Sequence, residues 1–373
     1  MGTVAAARRA AVLAGGVLLL TTPGPVWLAG PAPAIGSRPA AGSARIPTAP
    51  PAVAVPAVPA GSGARVLCRI TDRRIPESSG LAVAGDSLYT VNDGGDRLRV
   101  FVLDRSCRVR RLIENRLDPY DVEDLARGPD GTLWLADTGD NDEVRRTVAV
   151  ELLTEAGEAT LFRFRYPDGP HDAEALLVDR RGRPYLVSKD PLTAAVYTPA
   201  GTPGTDRSAP LRRVATLQFP PTGTPGGPVG AASQVVVTGG AVSPDGTRLA
   251  LRTYTDAYLW SAPDGDVAAA LRSGRPERIP LPATAQGEAI AFAPDGRSLL
   301  TSTEGLPAPV HVVPLDADPP AGPATGRRTP APVAGAGDPP GGTTSNLGNI
   351  AVAALLAAGL VWVGGKLMGA IRR

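Results

Sequence analysis

The stretch EAIAFAPDGRSLLTSTE, from Glu288 to Glu304, consists of two short apolar runs separated by the tripeptide Pro-Asp-Gly. Proline presets φ, aspartate can hydrogen-bond its own backbone and glycine accepts a positive φ, so this tripeptide favours a tight turn. Two apolar runs of strand length on either side of such a turn predict a β-hairpin.

The same pattern occurs at four earlier places in the chain. Similar segments begin at Ser79, Glu123, Glu174 and Thr238, and the five starts are separated by 44, 51, 64 and 50 residues. Pro-Asp-Gly itself recurs at residues 129 and 244. Repeats of this length, with about four strands each, are typical of β-propeller blades.

Further apolar runs supply the remaining strands of each repeat, at residues 99–103 and 108–113, 147–153 and 160–164, 194–197 and 211–219, and 257–261 and 276–279. The last repeat has one such run, 310–314, and the segment Arg65 to Ile70 can supply its fourth strand. We therefore expect an all-β fold, a β-propeller of five blades whose ring is closed by the N-terminal strand. Six blades, if one has diverged, and a β-sandwich remain alternatives.

Composition divides the chain into domains. The 44 glycines and 40 prolines are not evenly spread. Two stretches made mostly of Pro, Ala, Gly and Ser cannot bury a core, which predicts a Pro/Ala-rich linker at 35–63 and a Pro/Gly-rich linker at 317–347. The propeller domain is expected at 64–316. Linkers of this composition act as extended spacers.

The N-terminus predicts an export signal over residues 1–34. Arg8 and Arg9 precede an apolar run, and Ala32-Pro33-Ala34 provides a cleavage site of the usual small-residue type. An uncleaved anchor is the alternative, because Val26 to Leu28 partly extends the apolar run.

The C-terminus predicts one transmembrane helix over residues 348–371. The segment Ile350 to Gly365 is uncharged, and the helix reaches a full membrane thickness if Lys366 snorkels. Arg372 and Arg373 form a cytoplasmic tail by the positive-inside rule. The expected location is the cell membrane, single-pass, with the N-terminal domain extracytoplasmic. A sortase-type sorting signal is disfavoured because no LPxTG-like motif precedes this run.

Charge narrows the range of partners. The formal net charge is +2, and no basic patch interleaved with aromatic residues appears in the chain, so we expect no nucleic-acid binding. The expected partners are the membrane, through the C-terminal helix, and an unidentified extracellular ligand or protein.

Cys68 and Cys107 are the two cysteines of the chain. In an oxidising compartment an even pair predicts one disulfide, here between the closing strand and the outer edge of the first blade. A zinc site is disfavoured, because two cysteines without a nearby histidine do not complete its coordination.

Several segments carry a resemblance to known proteins. Over roughly Cys68 to Glu304 the chain resembles a family of exported actinobacterial propeller-like proteins without an assigned activity. The segments that carry this resemblance are ESSGLA, YDVEDLA, ADTGDN, RYPDGPHDAEALLVD, LRTYTDAYLW and QGEAIAFAPDGRSLLTSTE. More distantly, the glutamates at the blade starts are similar to those of phytase-like esterase and gluconolactonase-type propellers, and this similarity implies a divalent cation in the central channel.

The first strand of each blade lines the channel of a propeller, so residues at its start converge on one axis. Glu123, Glu174 and Glu288 occupy equivalent starts, and Glu77 lies two residues ahead of the first repeat. Such carboxylates would repel one another without a positive charge, and Ca²⁺, which takes six to eight oxygen ligands, is the cation we expect. Alternatively, each glutamate accepts backbone hydrogen bonds or pairs with an arginine.

Asp137, Asp140 and Asn141 form a second, weaker group of candidate ligands after the second strand of the second blade. Their spacing does not match an EF-hand loop. Turns stabilised by Asp and Asn side chains explain the segment equally well.

His171 and Lys189 are the candidate catalytic residues. His171 precedes Asp172 and Glu174, so it could act as a general base or a ligand, with a solvated loop histidine as the alternative. Lys189 is the single lysine of the predicted domain, with Arg252 and Glu304 expected at comparable positions of later blades. It could bind an anionic substrate or neutralise the glutamates.

Two functions fit these observations. The first is an extracytoplasmic, membrane-anchored binding or scaffold module with a structural divalent cation in its channel. The second is a metal-dependent hydrolase of an ester, lactone or phosphoester. The chain contains no GxSxG motif, so a serine hydrolase of that type is not supported.

Overall fold

The structure, a computed structural model, describes residues 63–191 and 193–315. The predicted signal peptide, the linkers apart from Gly63, the transmembrane helix and the cytoplasmic tail lie outside the described residues. Within the described ranges, the model contains no helix with the length and apolar character needed to cross a membrane.

Twenty strands make up about half of the described chain. In chain order they are β1 (Arg65–Ile70), β2 (Ser78–Ala84), β3 (Ser87–Asn92), β4 (Leu98–Leu103), β5 (Val109–Asn115), β6 (Val122–Arg127), β7 (Leu133–Asp137), β8 (Val148–Leu153), β9 (Ala159–Arg165), β10 (Ala173–Val178), β11 (Pro184–Ser188), β12 (Ala194–Pro199), β13 (Ala209–Leu217), β14 (Val237–Val242), β15 (Arg248–Thr253), β16 (Asp256–Ser261), β17 (Glu277–Pro280), β18 (Gly287–Phe292), β19 (Ser298–Thr303) and β20 (Ala308–Pro314). A 3₁₀ helix (Gly230–Gln234) precedes β14, and helix α1 (Val267–Ser273) lies between β16 and β17.

Consecutive strands pair antiparallel in sets of four: β2 to β5, β6 to β9, β10 to β13 and β14 to β17, with β18 to β20 joined by β1. The all-β fold and the hairpins predicted around each turn are therefore present. One pairing was not predicted. Strand β13 also runs parallel to β9 through two residue pairs, Ala209 with Phe164 and Pro210 with Arg165, which joins two sets into one eight-stranded sheet.

The N-terminal strand completes the last set, as expected from its sequence. Strand β1 pairs antiparallel with β20, from Arg65 opposite Val312 to Ile70 opposite Ala308. The predicted disulfide is also confirmed: Cys68 of β1 is bonded to Cys107 in the turn between β4 and β5. The disulfide thus joins the last set, to which β1 belongs, covalently to the first set.

The first strands of the sets pack against one another in a closed sequence, β2 on β6, β6 on β10, β10 on β14, β14 on β18 and β18 on β2. Asp124 of β6 lies at their centre and is fully buried. Its carboxylate accepts backbone N–H groups of Leu176 in β10, at 2.8 Å, and of Gly240 in β14, at 3.1 Å. Residues far apart in sequence therefore meet at these strands, as a propeller-like arrangement requires.

Apolar side chains fill the space between neighbouring sets. Val148 and Val150 of β8 pack with Leu176 of β10 and Leu186 of β11, and all four are buried. Burial of one such side chain contributes about 1.5–3 kcal/mol to folding. The core therefore holds the sets in fixed positions, and with them the side chains at the starts of the first strands.

Helix α1 was not predicted from the sequence. Asp266 precedes it, and its carboxylate accepts the backbone N–H of Ala269 at 2.9 Å, which is a normal N-terminal cap. The helix packs its buried side chains, among them Val267 and Leu271, into the core between the third and fourth sets.

Candidate metal centre

A β-bulge at the start of the first strand places the glutamates. In β6 the register shifts between Val122 and Asp124, and in β10 it shifts between Ala173 and Ala175. Glu123 and Glu174 are the extra residues, and a bulge redirects the side chain that it carries. Both glutamates are 3% exposed, so the bulges place these two carboxylates inside the molecule.

Two groups of carboxylates surround these glutamates. Asp93, Asp121 and Glu123 form one triad, and Glu123, Asp172 and Glu174 form the other, each with oxygen atoms within 4.8 Å of one another. Glu123 belongs to both. Several carboxylate oxygens at such distances are the ligand set that Ca²⁺ and similar divalent cations prefer. The structure thus brings together Glu123 and Glu174, two of the four glutamates predicted to line the channel.

The backbone at Gly139 closes one side of this cluster. A Cβ atom at this position would overlap Glu123 Oε1 and lie 2.5 Å from Asp121 Oδ2. A glycine is therefore required here for the two carboxylates to keep their positions. Any larger residue would displace at least one candidate ligand.

Burial raises the pKa values of the carboxyl groups in this cluster. Burial, followed by the neighbouring Asp93 and Asp172, raises the pKa of Asp121 to about 8. The pKa of Glu123 is raised well above its usual value by burial and then by the charges of nearby carboxylates, Glu174 first. Because these pKa values are raised, protons compete with a cation for the carboxylates, and a bound cation would displace them.

Lys189 supplies a positive charge inside the cluster. Its Nζ lies 2.5 Å from Glu174 Oε1 and 5.6 Å from the centre of the Tyr254 ring. Burial by itself would lower the pKa of Lys189, but the surrounding carboxylates, Glu174 foremost, raise it well above its usual value. The lysine is therefore a fixed ammonium group, as one of its two sequence-based interpretations required.

Glu288 lies on the other side of Lys189. It is 3% exposed, and its Oε2 has no hydrogen-bond partner among the described residues. Burial raises the pKa of Glu288 to about 7, and the charges of Lys189 and Arg252 oppose this rise. The third predicted glutamate is therefore electrostatically linked to the cluster through the lysine.

The buried Arg252 does not occupy the position equivalent to Lys189. Ser188, the last residue of β11, pairs with Ala173, and Thr253, the last residue of β15, pairs with Val237 at the corresponding place. Lys189 directly follows Ser188, and Tyr254 directly follows Thr253. Tyr254 is therefore the residue equivalent to Lys189. The expected equivalence of Arg252 was therefore wrong by two residues. Its guanidinium donates to the backbone carbonyls of Thr253, Tyr254, Ala289 and Ser302.

Glu77 and Glu304 lie where the first and last sets meet. Their backbones form an isolated bridge, and Gln286 Nε2 donates to Glu304 Oε2 at 2.5 Å. Burial and then Glu288 raise the pKa of Glu304 to about 8. The two carboxylate triads do not include Glu77.

Asp137 and Asp140 stabilise the loop after β7. Asp137 Oδ1 accepts the backbone N–H of Asp121 at 2.8 Å and the guanidinium of Arg145 at 2.8 Å. The Asp140 carboxylate accepts the backbone N–H groups of Val144, at 3.0 Å, and Arg145, at 2.7 Å. Asn141 is exposed. These contacts match the turn interpretation of the segment and hold Gly139 against the cluster.

His171 lies at the edge of the cluster, next to Asp172. Its Nε2 is 2.8 Å from Tyr197 Oη and 3.2 Å from Asp168 Oδ1, and its Nδ1 is 3.6 Å from Asp190 Oδ2. Asp190, more than the opposing effect of burial, raises the pKa of His171, and Asp168 adds to the rise. The histidine is thus held between two carboxylates and is not freely solvated.

Sequence reasoning did not single out Asp121 or Asp172 as ligands. Both were detectable, because Asp121-Val122-Glu123 and Asp172-Ala173-Glu174 repeat the pattern Asp-x-Glu at the same place in consecutive repeats. Asp93 directly follows β3. Its contribution depends on how closely the first two sets approach, which the sequence pattern does not indicate.

No family model and no curated protein matches the chain. Among solved structures, the chain is similar to a gluconolactonase from Xanthomonas campestris (17% identity, 68% of this chain and 89% of that chain, TM-score 0.41) and to virginiamycin B lyase from Staphylococcus aureus (14%, 63% and 65%, TM-score 0.33). A luciferin-regenerating enzyme matches with 12% identity, 64% and 77% coverage and a TM-score of 0.38. The chain spans less than two thirds of the length of the two streptogramin-type lyase structures that it matches. At TM-scores below 0.5 these likenesses assign neither an activity nor a ligand to this chain.

Proposed function

We propose that the chain is a five-bladed β-propeller that binds one divalent cation in the carboxylate cluster and uses this face as an extracytoplasmic binding or scaffold surface. The observation that carries the proposal is the pair of carboxylate triads that share Glu123. The closed sequence of contacts between the first strands supports the blade number.

Electrostatics favours a cation at this place. Buried carboxylates are costly unless they are protonated, paired or bound to a metal ion. Lys189 contacts Glu174, while Glu288 Oε2 has no partner among the described residues. Ca²⁺ accepts irregular sets of oxygen ligands, so it is the first cation to test.

The test is calorimetric titration of the full chain with Ca²⁺ after treatment with a chelator. We expect one bound Ca²⁺ per chain and a higher melting temperature in its presence. Glu123→Gln should weaken binding at least tenfold, because both triads lose a shared oxygen ligand. The matched control is Glu158→Gln, since Glu158 is exposed in the turn between β8 and β9. Wild-type protein that binds no divalent cation would refute the proposal.

We further propose that the domain faces the outside of the cell and is held there by the segment 348–371. The sequence features of both chain ends support this location. A chain truncated after residue 347 should be released into the medium, whereas the full chain should stay in the membrane fraction and be cleaved by protease added to intact cells. Protection from that protease would contradict the proposed orientation.

A metal-dependent hydrolase of an ester, lactone or phosphoester is the second candidate. The position of His171 favours it, because this ionisable group adjoins Asp172 of the cluster and contacts Tyr197. A bound cation would supply polarisation of a carbonyl or phosphoryl oxygen. Turnover in a panel of these substrates that chelation and Glu123→Gln abolish would support the enzyme. A protein that binds the cation and is inert toward the whole panel would support the binding module.

A further inference from the structure

The two triads define two neighbouring cation positions. One position lies among Asp93, Asp121 and Glu123, and the other among Glu123, Asp172 and Glu174. A carboxylate shared between adjacent ligand sets could bridge two divalent cations, which in two-metal sites are about 3.5–4 Å apart. By its carboxylates alone, this cluster could therefore hold two cations.

The second position already has a positive charge. Lys189 Nζ contacts Glu174 Oε1 at 2.5 Å, and the backbone N–H of Lys189 donates to the carbonyl of Asp172 at 2.9 Å. The Tyr254 ring lies beneath the ammonium. The ammonium thus contacts one carboxylate of this triad directly, and its charge also acts on the Asp172 carboxylate.

In the described part of the chain, no ammonium or guanidinium contacts the first position directly, although the charge of Lys189 acts on Asp93 and that of Arg145 acts on Asp121. Among the described residues, no ion pair within 4 Å joins Asp93, Asp121 or Glu123 to a basic side chain, and the nearby Arg145 is bonded to Asp137. The buried Glu288 Oε2, without a hydrogen-bond partner, belongs to the same charge network, since its carboxylate acts on Lys189. The cluster therefore contains more carboxyl groups than Lys189 can pair with.

We infer that Lys189 is a built-in substitute for a second metal ion. Its ammonium occupies the Glu123–Asp172–Glu174 position, so that the protein takes a single divalent cation, at the Asp93–Asp121–Glu123 position. This inference rests on the proposed function and adds to it the place of the cation and the reason why only one is bound. Removal of the ammonium is then expected to create a site for two cations.

The experiment counts Mn²⁺ bound to the full chain after equilibrium dialysis, and it records the electron paramagnetic resonance spectrum of the same samples. Wild-type protein should bind one Mn²⁺ with the spectrum of an isolated ion. Lys189→Met, which keeps the length of the side chain and removes its charge, should bind two Mn²⁺ with a spin-coupled spectrum. Lys189→Arg, which retains a positive charge, is the matched control and should bind one.

A Lys189→Met chain with one Mn²⁺ would overturn the inference and leave the proposed function intact. A wild-type chain with two would overturn the inference and the proposed number of cations, but not cation binding by the cluster. A wild-type chain with none would overturn both. Because Lys189→Met could fail to fold, Asp93→Asn provides a second test. With the second position occupied by the lysine, Asp93→Asn should lower Mn²⁺ affinity at least tenfold. Retention of one tightly bound Mn²⁺ in this variant would contradict the assignment.

Discussion

Gly139 lies so close to Glu123 that a Cβ at this position would overlap Glu123 Oε1. Gly139→Ala should therefore displace Glu123 and lower the affinity for Ca²⁺ at least tenfold, as measured by calorimetric titration. Gly201→Ala is the matched control, because a Cβ at Gly201 meets nothing within 4 Å. Equal affinities of the two variants would show that Gly139 does not limit the ligand positions.

The pH dependence of stability should follow the buried glutamates. Burial is the main reason why the pKa values of Glu288 and Glu304 are raised to about 7 and about 8. The folded chain therefore keeps protons that the unfolded chain loses above about pH 4.5, so in chelator the free energy of unfolding should fall as the pH rises from about 5 to 8.

Thermal unfolding at a series of pH values measures this effect. Glu304→Gln should flatten the slope because it removes one of the titrating groups. Saturating Ca²⁺ should raise the melting temperature more at pH 8 than at pH 5.5, since it competes with protons at low pH. A chelated protein that becomes more stable between pH 5 and 8 would contradict the assigned pKa shifts.

Asp124 should contribute strongly to the stability of the packing between the first strands of the sets. Asp124→Ala leaves the backbone N–H groups of Leu176 and Gly240 without their acceptor in a buried place, so we expect a loss of at least about 3 kcal/mol in chemical denaturation. Asp86→Ala is the control, because Asp86 is 92% exposed and should change stability by no more than about 0.5 kcal/mol. A similar small change in both variants would refute the role of Asp124.

The disulfide between Cys68 and Cys107 spans 39 residues of sequence. In the chain-entropy model a closed loop of this length contributes about 4 kcal/mol. A chain with Cys68→Ser and Cys107→Ser should therefore unfold at a lower denaturant concentration, and reducing agent should lower the stability of wild-type protein but not of the double variant. Insensitivity of the wild type to reduction would contradict this contribution.

Turn chemistry made most of the fold predictable. The Pro-Asp-Gly turns and the apolar runs beside them located nearly every strand, including the pairing of Arg65–Ile70 with the last repeat. Helix α1 was missed because its stabilising cap, Asp266, lies in a segment without the repeat pattern. The parallel contact between β9 and β13 depends on how two sets approach at their outer strands, and sequence periodicity does not encode that approach.

The site was predictable in part for the same reason. Equivalence between repeats indicated Glu123, Glu174 and Glu288, because residues at one place in each repeat face the same centre. It could not indicate the β-bulges that redirect Glu123 and Glu174, which are a property of strand register. It also could not indicate that Lys189 contacts Glu174, since that contact is made only when both side chains are buried together.

The antiparallel pairing of β1 with β20 places the entry and the exit of the described chain at the same end of one strand pair. Tension applied through the two ends would therefore break the hydrogen bonds between these two strands one after another, beginning at Arg65. Because Cys68 is bonded to Cys107 of a neighbouring set, such peeling of β1 would stop after three residues. The covalent link thus protects the β1–β20 pair against mechanical load.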